Sequence, residues 1–132
     1  MSESLVCDVS ALVALLLDAG PDGSWVVEAI GDSRLVAPGL AAWEAANIIR
    51  RHELAGIVSS DQAVQAHVDL LDLTIEFWPY ELLSERAWSL RRNLPIYDAS
   101  YVALAELLRT ELVTLDRRVA TAPGVACTVL TP

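Results

Sequence analysis

The sequence predicts an α/β fold, a three-layer α/β/α sandwich around a mostly parallel sheet of four to five strands. Three observations predict it. Short apolar runs alternate with helical patterns along the whole chain, as βαβ units require. The first run, Leu5-Val6-Cys7-Asp8-Val9-Ser10, ends on a carboxylate and passes directly into an apolar helix. No repeat, linker or low-complexity segment interrupts the alternation, and 132 residues with 54% hydrophobic content suit a single domain, residues 1–132, that needs no disulfide staples.

After the first strand, Ser10 can cap a helix from about Ala11 to Asp18, ended by Gly20-Pro21-Asp22-Gly23. Trp25 to Ile30 reads as a second short helix, and Arg34 to Ala37 as strand two, punctuated by Pro38-Gly39. From Leu40 to Leu54 neither Pro nor Gly occurs, and Ala41, Ala45, Ile48 and Ile49 recur at helical spacing, which predicts a long helix closed by Gly56. Ser59-Ser60-Asp61 starts another helix through about Leu71, with Ala63, Val64, Val68 and Leu71 on one side. Leu73 to Trp78 alternates as a strand until Pro79; Glu81 to Arg92 is helical until Asn93-Leu94-Pro95. Asp98 then opens an Ala- and Leu-rich helix to Arg109, Glu111 to Thr114 is a short strand followed by Asp116, and Val125 to Leu130 is the last strand.

Eighteen acidic residues face nine basic ones, a net charge of -9, and all nine are Arg. Such a field repels nucleic acid at long range, so RNA or DNA contact must rely on local Arg groups or bound cations, whereas a basic protein partner is favoured. Cys7 and Cys127 lack metal-ligand spacing and read as small core residues of a protein in a reducing compartment. Met1-Ser2-Glu3-Ser4 carries no basic leader region and no apolar run spans a bilayer, which predicts a soluble, cytoplasmic protein with no membrane partner.

Four acids form the candidate site: Asp8, Glu44, Asp98 and Asp116. Each has a structural explanation by itself. The three aspartates stand where helices begin and suit caps, and Glu44 suits a solvated helix face. As a set they are harder to explain so. Asp8 and Asp116 each follow an apolar strand, on the sheet edge where ligands bind in open α/β folds, and Glu44 sits early in a helix entered from strand two. Its neighbours Ala41, Ala42, Trp43, Ala45 and Ala46 are a poor setting for a merely solvating charge. Clustered carboxylates repel one another unless a cation neutralises them, and Mg2+ or Mn2+ is the hard ion that suits such oxygens. An ion there can activate water for in-line attack on a phosphodiester, which is nuclease chemistry. Ser10 and Thr114 can orient the ligands or simply cap and close strand ends, and Asn47, on the face of Glu44, can do the same or be solvated. Of the Arg pairs, Arg117, adjacent to Asp116, is the first candidate for a substrate phosphate contact. Salt-bridging to nearby acids is the alternative for every pair.

With these residues assembled, the chain resembles the PIN-domain ribonucleases, most closely the VapC-type toxins of bacterial and archaeal toxin-antitoxin pairs. The resemblance covers nearly the whole length. It rests on Val6-Cys7-Asp8-Val9-Ser10-Ala11-Leu12, on Ala37-Pro38 with Glu44, Asn47 and Arg51, on Tyr97-Asp98-Ala99-Ser100-Tyr101 leading into Ala103-Leu104-Ala105, and on Leu112-Val113-Thr114-Leu115-Asp116-Arg117, in the family's order and spacing. It implies an Mg2+- or Mn2+-dependent endoribonuclease with Asp8, Glu44, Asp98 and Asp116 as catalytic metal ligands, an RNA substrate such as transfer or ribosomal RNA, a cognate basic antitoxin and a homodimer. One departure is that Arg117 and Arg118 follow Asp116 where many relatives carry another acid, which puts a full second metal site in doubt.

Competing readings differ in class. A phosphorelay receiver needs a lysine, which is absent, and an aspartyl phosphatase wants Asp two residues after Asp8, where Ser10 stands. A noncatalytic module whose acidic pocket binds a basic protein partner remains the alternative. Trp25, Trp43, Trp78 and Trp88 suit core packing first, and a dimer seam or antitoxin groove second.

Overall fold

The computed structural model describes residues 3–132; Met1 and Ser2, part of the segment without a basic leader, lie outside the described residues. Strands β1 (Ser4–Cys7), β2 (Arg34–Pro38), β3 (Ile75–Trp78), β4 (Leu112–Val113) and β5 (Val129–Leu130) form one sheet in the order β3-β2-β1-β4-β5. Every pair is parallel, so the expected mostly parallel sheet is wholly so. Among the described residues the α-helices are α1 (Val9–Leu17), α2 (Pro21–Ile30), α3 (Ala41–Leu54), α4 (Ser60–Asp72), α5 (Ser84–Ser89), α6 (Ile96–Leu108) and α7 (Arg117–Thr121), with a 3₁₀ turn at Tyr80–Leu82.

The chain steps from β1 to β2 to β3 in one direction and then returns past β1 to lay down β4 and β5. The gap between β1 and β4 is therefore the topological switch point, where a parallel sheet leaves a crevice at its carboxyl ends. Helices α1 to α4 pack on one another, α5 packs on α6, and α6 lies across β1, β2 and β4. Right-handed crossovers put the first group on one face and the second on the other. β1 is the middle strand, and its Leu5, Val6 and Cys7 are buried in a core shared with Val36, Leu104 and Leu112. Burying each such side chain contributes about 1.5 to 3 kcal/mol before chain entropy is subtracted. In α6 every residue from Ala99 to Ala105 is buried, which explains its Ala- and Leu-rich composition. Cys7 is in the core as expected, and burial pushes its thiol up to about 12. No described helix is long and apolar enough to cross a membrane.

Several boundaries differ from expectation, each for a local reason. Asp8 rather than Ser10 caps α1, its extended backbone letting Oδ1 accept the Ala11 N–H at 3.1 Å. Pro21 begins α2 instead of ending α1, because its fixed φ and missing N–H suit a first helical turn. Ser59 and Gln62 form the capping box of α4, but the stripe it buries is Ala63, Ala66 and Leu70, leaving Val64, Val68 and Leu71 exposed. Small alanines let α4 approach α3 closely, a preference that hydrophobicity alone does not reveal. The helix expected over 81–92 is a 3₁₀ turn and then α5, broken where Leu83 plunges into the core. α6 starts at Ile96, after Pro95, so Asp98 lies in its first turn and caps nothing. Asp116 caps α7, as its place before a helix start predicts, although the sequence pattern gives that helix no range. Trp25 and Trp78 pack against the core, whereas Trp43 and Trp88 are exposed.

One glycine fixes how α2 sits against the end of α1, the helix that follows Asp8. A Cβ on Gly23 would stand 1.8 Å from the Asp18 carbonyl oxygen, a backbone atom that cannot step aside. Gly23→Ala is expected to destabilise the fold by about 3 kcal/mol, at the upper end of overpacking costs, measured by urea unfolding; a change below about 0.5 kcal/mol would contradict this contact.

Candidate active site

Asp8 stands at the carboxyl end of β1, and its backbone N–H donates to the Val113 carbonyl at 3.0 Å, so its position is set by the β1–β4 ladder. Its side chain is almost wholly buried. Ser10 Oγ donates to Oδ1 at 2.6 Å, the Ala11 N–H to the same oxygen, and the Thr114 hydroxyl to Oδ2. Both hydroxyl protons thus go to Asp8, which makes the 3.4 Å approach of Ser10 and Thr114 a contact rather than a hydrogen bond. As acceptors, Ser10 takes the Leu115 N–H and Thr114 the Asp116 N–H, at 3.0 and 2.9 Å. These two side chains knit the ends of β1 and β4 together around one carboxylate. Oδ2, with a single donor, keeps acceptor capacity for a cation.

Glu44 enters from α3 and Asp98 from α6, both half-buried. The Tyr101 hydroxyl donates to Glu44 Oε1 at 3.1 Å, a bond that joins the two helices across the sheet edge. Asp98 accepts no hydrogen bond among the described residues. Burial raises the pKa of Asp8, Glu44 and Asp98, the hydroxyl and amide donors offsetting part of this for Asp8 and Glu44. Mutual repulsion adds to it: Asp8 feels Asp116, Glu44 feels Asp98 and Asp8, and Asp98 feels Asp8 and Asp116. The four acids therefore share one electrostatic neighbourhood.

Asp116 differs. Arg118 grips it with Nε on Oδ1 at 3.0 Å and Nη2 on Oδ2 at 2.8 Å, and this pairing holds its pKa below the ordinary value. Arg117, the expected phosphate contact, turns instead to the Pro132 carbonyl at 2.6 Å. Asn47 is exposed and makes no side-chain hydrogen bond among the described residues. Tyr101 was given no role from sequence, and Arg118 entered only as half of the Arg117-Arg118 pair, whose alternative reading, a salt bridge to a nearby acid, Arg118 fulfils. The signals were present, since Tyr101 is three residues from Asp98 on one helix face and Arg118 two residues from Asp116.

Whether these residues suit a divalent ion can be judged from their donors. Asp8, Glu44 and Asp98 offer hard oxygens and have no cationic partner among the described residues, whose ion pairs are Arg86–Glu106 and Arg118–Asp116. The donor set fits Mg2+ or Mn2+. It is not a closed cage, because no three of the described Asp, Glu, His or Cys side chains converge tightly enough to hold an ion as they stand.

The model of the PIN domain matches residues 5–125, which contain all four acids. The chain belongs to the PIN-domain family. This PIN domain is 36% identical over 129 residues to ribonuclease VapC1 of Mycobacterium tuberculosis, covering 96% of both chains. Its fold is shared by M. tuberculosis VapC20, described as a sarcin-ricin loop cleaving toxin, with TM-score 0.68 at 16% identity and 97% and 99% coverage. A toxin-antitoxin complex from Klebsiella pneumoniae also has TM-score 0.68, at 20% identity and 97% coverage of both chains.

The raised acids give a signed pH dependence. A carboxyl whose folded pKa exceeds its unfolded one binds more protons when folded, so stability falls as pH rises through the interval between the two values. Asp116 and Glu106, whose pKa values are lowered, act in the opposite sense and below the ordinary carboxyl range. Metal-free protein is therefore expected to melt at a lower temperature at pH 7 than at pH 5. Asp98→Asn should flatten that slope, whereas an Asn variant at exposed Asp61 should not; equal slopes in thermal melts would contradict the shared field.

Proposed function

We propose that this chain is a divalent-metal-dependent endoribonuclease, the toxin of a toxin-antitoxin pair, working as one PIN-like domain over residues 1–132. The observation that carries the reading is the set of three mutually repelling carboxylates, none of them in an ion pair among the described residues, at the switch point of a PIN fold. Asp8, Glu44 and Asp98 would hold Mg2+ or Mn2+, with Asp116 joining once Arg118 lets go. Such an ion, when bound, lowers the pKa of a coordinated water and neutralises charge on the phosphodiester. Ser10 and Thr114 fix the rotamer of Asp8, and Tyr101 fixes that of Glu44, so that both carboxylates are oriented in advance. Asp98, which accepts no hydrogen bond among the described residues, has carboxylate oxygens free both for the ion and to take the proton of the attacking water. The water oxygen bonds to phosphorus as the bond to the ribose oxygen opposite it breaks, and that oxygen leaves as a hydroxyl by taking a proton from solvent. Asn47 and Arg117 are left with outlying roles.

The description of VapC20 as a sarcin-ricin loop cleaving toxin supports an unpaired RNA loop as substrate, and the Klebsiella complex supports an antitoxin partner. An apolar cavity of about 560 Å³ between α1, α3 and α4, lined by Val13, Leu17, Ile48, Ile57 and Leu115, offers an antitoxin an apolar seat beside Ser10. The net charge favours a basic partner there, and the exposed Val64, Val68 and Leu71 suit a homodimer in the cytoplasm.

Purified protein is expected to cut single-stranded RNA with Mg2+ or Mn2+, to stop on addition of EDTA, and to lose at least about 100-fold in rate on Asp8→Asn or Asp98→Asn, as loss of a ligand or base implies. Wild-type cleavage in both variants would sink the assignment and favour the noncatalytic module. Removing the cation on Asp116 should also tighten ion binding. Arg118→Gln is expected to lower the Mn2+ dissociation constant roughly 3- to 10-fold in calorimetry, the scale of a unit charge several ångströms from a divalent ion. Arg117→Gln should leave it unchanged.

A further inference from the structure

An apolar cavity of about 450 Å³ opens beside the acid cluster, lined by Leu40, Trp43, Tyr80, Ile96, Tyr97 and Tyr101. Its aromatic rings come from three elements, the start of α3, the 3₁₀ turn and the start of α6. Trp43 is 76% exposed and Tyr97 57% exposed, so core packing does not account for either. Concave apolar surface ringed by exposed aromatics marks a binding site. We propose that this cavity is a stacking subsite for one unpaired nucleobase of the substrate RNA, next to the phosphate cut at the acid cluster; the proposal rests on the ribonuclease reading above.

Two observations select this occupant. Glu44 and Tyr101 belong both to the cavity wall and to the acid cluster, so a nucleotide with its phosphate at the acids has its own or the adjoining base within reach of the cavity. Glu44 is also the only charged residue in the lining, and no Arg enters it. A phosphate is therefore repelled from the cavity, whereas a flat neutral ring is not. Proteins that take single-stranded RNA hold splayed bases against Trp and Tyr faces in this manner. The Ser100 hydroxyl in the wall already donates to the Ile96 carbonyl at 2.8 Å, which leaves few groups to read a base edge. The subsite accordingly grips any base by its face and favours purines through their larger stacking surface.

The test uses the uncut complex. Full-length Asp98→Asn protein is titrated with a labelled single-stranded RNA 12-mer, and with the same strand carrying one abasic nucleotide at successive positions. Adding Trp43→Ala or Tyr97→Ala is expected to weaken binding about tenfold, the lower range of a lost base stack. Trp43→Phe should restore it to within about twofold. One abasic position should cost the parent about as much and cost the Trp43→Ala protein nothing further. The salt dependence should keep its slope, because no phosphate contact is removed. Unchanged affinity in both alanine variants, with melts showing them folded, overturns the subsite. So does a shift from dimer to monomer in sedimentation on Trp43→Ala without loss of RNA affinity, which would mean that a second copy covers the cavity. In either case metal-dependent cleavage by the wild type leaves the ribonuclease reading standing. RNA neither bound nor cut by the wild type removes both.

Discussion

A carboxylate withdrawn from water at the end of the middle strand is the constraint on which the rest of this structure depends. Asp8 is buried because β1 is buried on both faces, and β1 is buried because helices cover each side of a parallel sheet. A charge so placed costs several kcal/mol unless it is hydrogen-bonded. Ser10 and Thr114 supply the bonds, and in doing so they tie β4 to β1 at the point where the sheet order reverses. The same pair brings Asp116 to the site, through its N–H on Thr114. Solvation of one acid and assembly of the pocket are a single event.

The assembly leaves a surplus of negative charge that the fold does not neutralise. Tyr101 donates one hydrogen bond to Glu44, Arg118 offsets Asp116, and Asp98 receives no donor. Clustered acids that raise one another's pKa are tolerated in a folded protein where a function needs them. Arg118 is a poor permanent remedy because its side chain is 90% exposed, and such pairs contribute little net stability. A cation held so weakly would yield readily to a divalent one, which is what the proposed metal binding asks of it.

Much of this was legible in the sequence because strand ends and helix starts are written locally. Apolar runs ending in Asp8 and Asp116, and a breaker-free helix carrying Glu44, suffice to put those residues on one edge of a parallel sheet. Asp98 joined the set through the family resemblance; taken singly it suits a cap, and an error of two residues in the helix start puts it in the first turn instead. What was not legible depended on side-chain direction. Which of two adjacent Arg residues meets Asp116 is decided by the five-residue α7, too short to show a period, and Arg117 falls on the side facing Pro132. In α4 two adjacent stripes are apolar, and only the space left by α1 and α3 chooses Ala63, Ala66 and Leu70 over Val64, Val68 and Leu71. Tyr101 sits in a helix so uniformly buried that its one polar atom, bonded to Glu44, is invisible in the pattern.

The electrostatics also limit how an RNA can be held. A chain with net charge -9 and a cluster of acids at its cleft gains nothing from counterion release at long range, so the affinity must arise at close quarters. A bound divalent ion can attract one phosphate, but it does so equally along any strand and cannot by itself hold a register. Apolar contact is insensitive to the sign of the field. A concave aromatic surface adjoining Glu44 offers the kind of grip that this charge distribution leaves open, and a base stacked there would stand at a set distance from the acids. On the proposed function, selectivity would belong to the apolar wall and chemistry to the acidic one, and Glu44 and Tyr101 are the edge the two walls share.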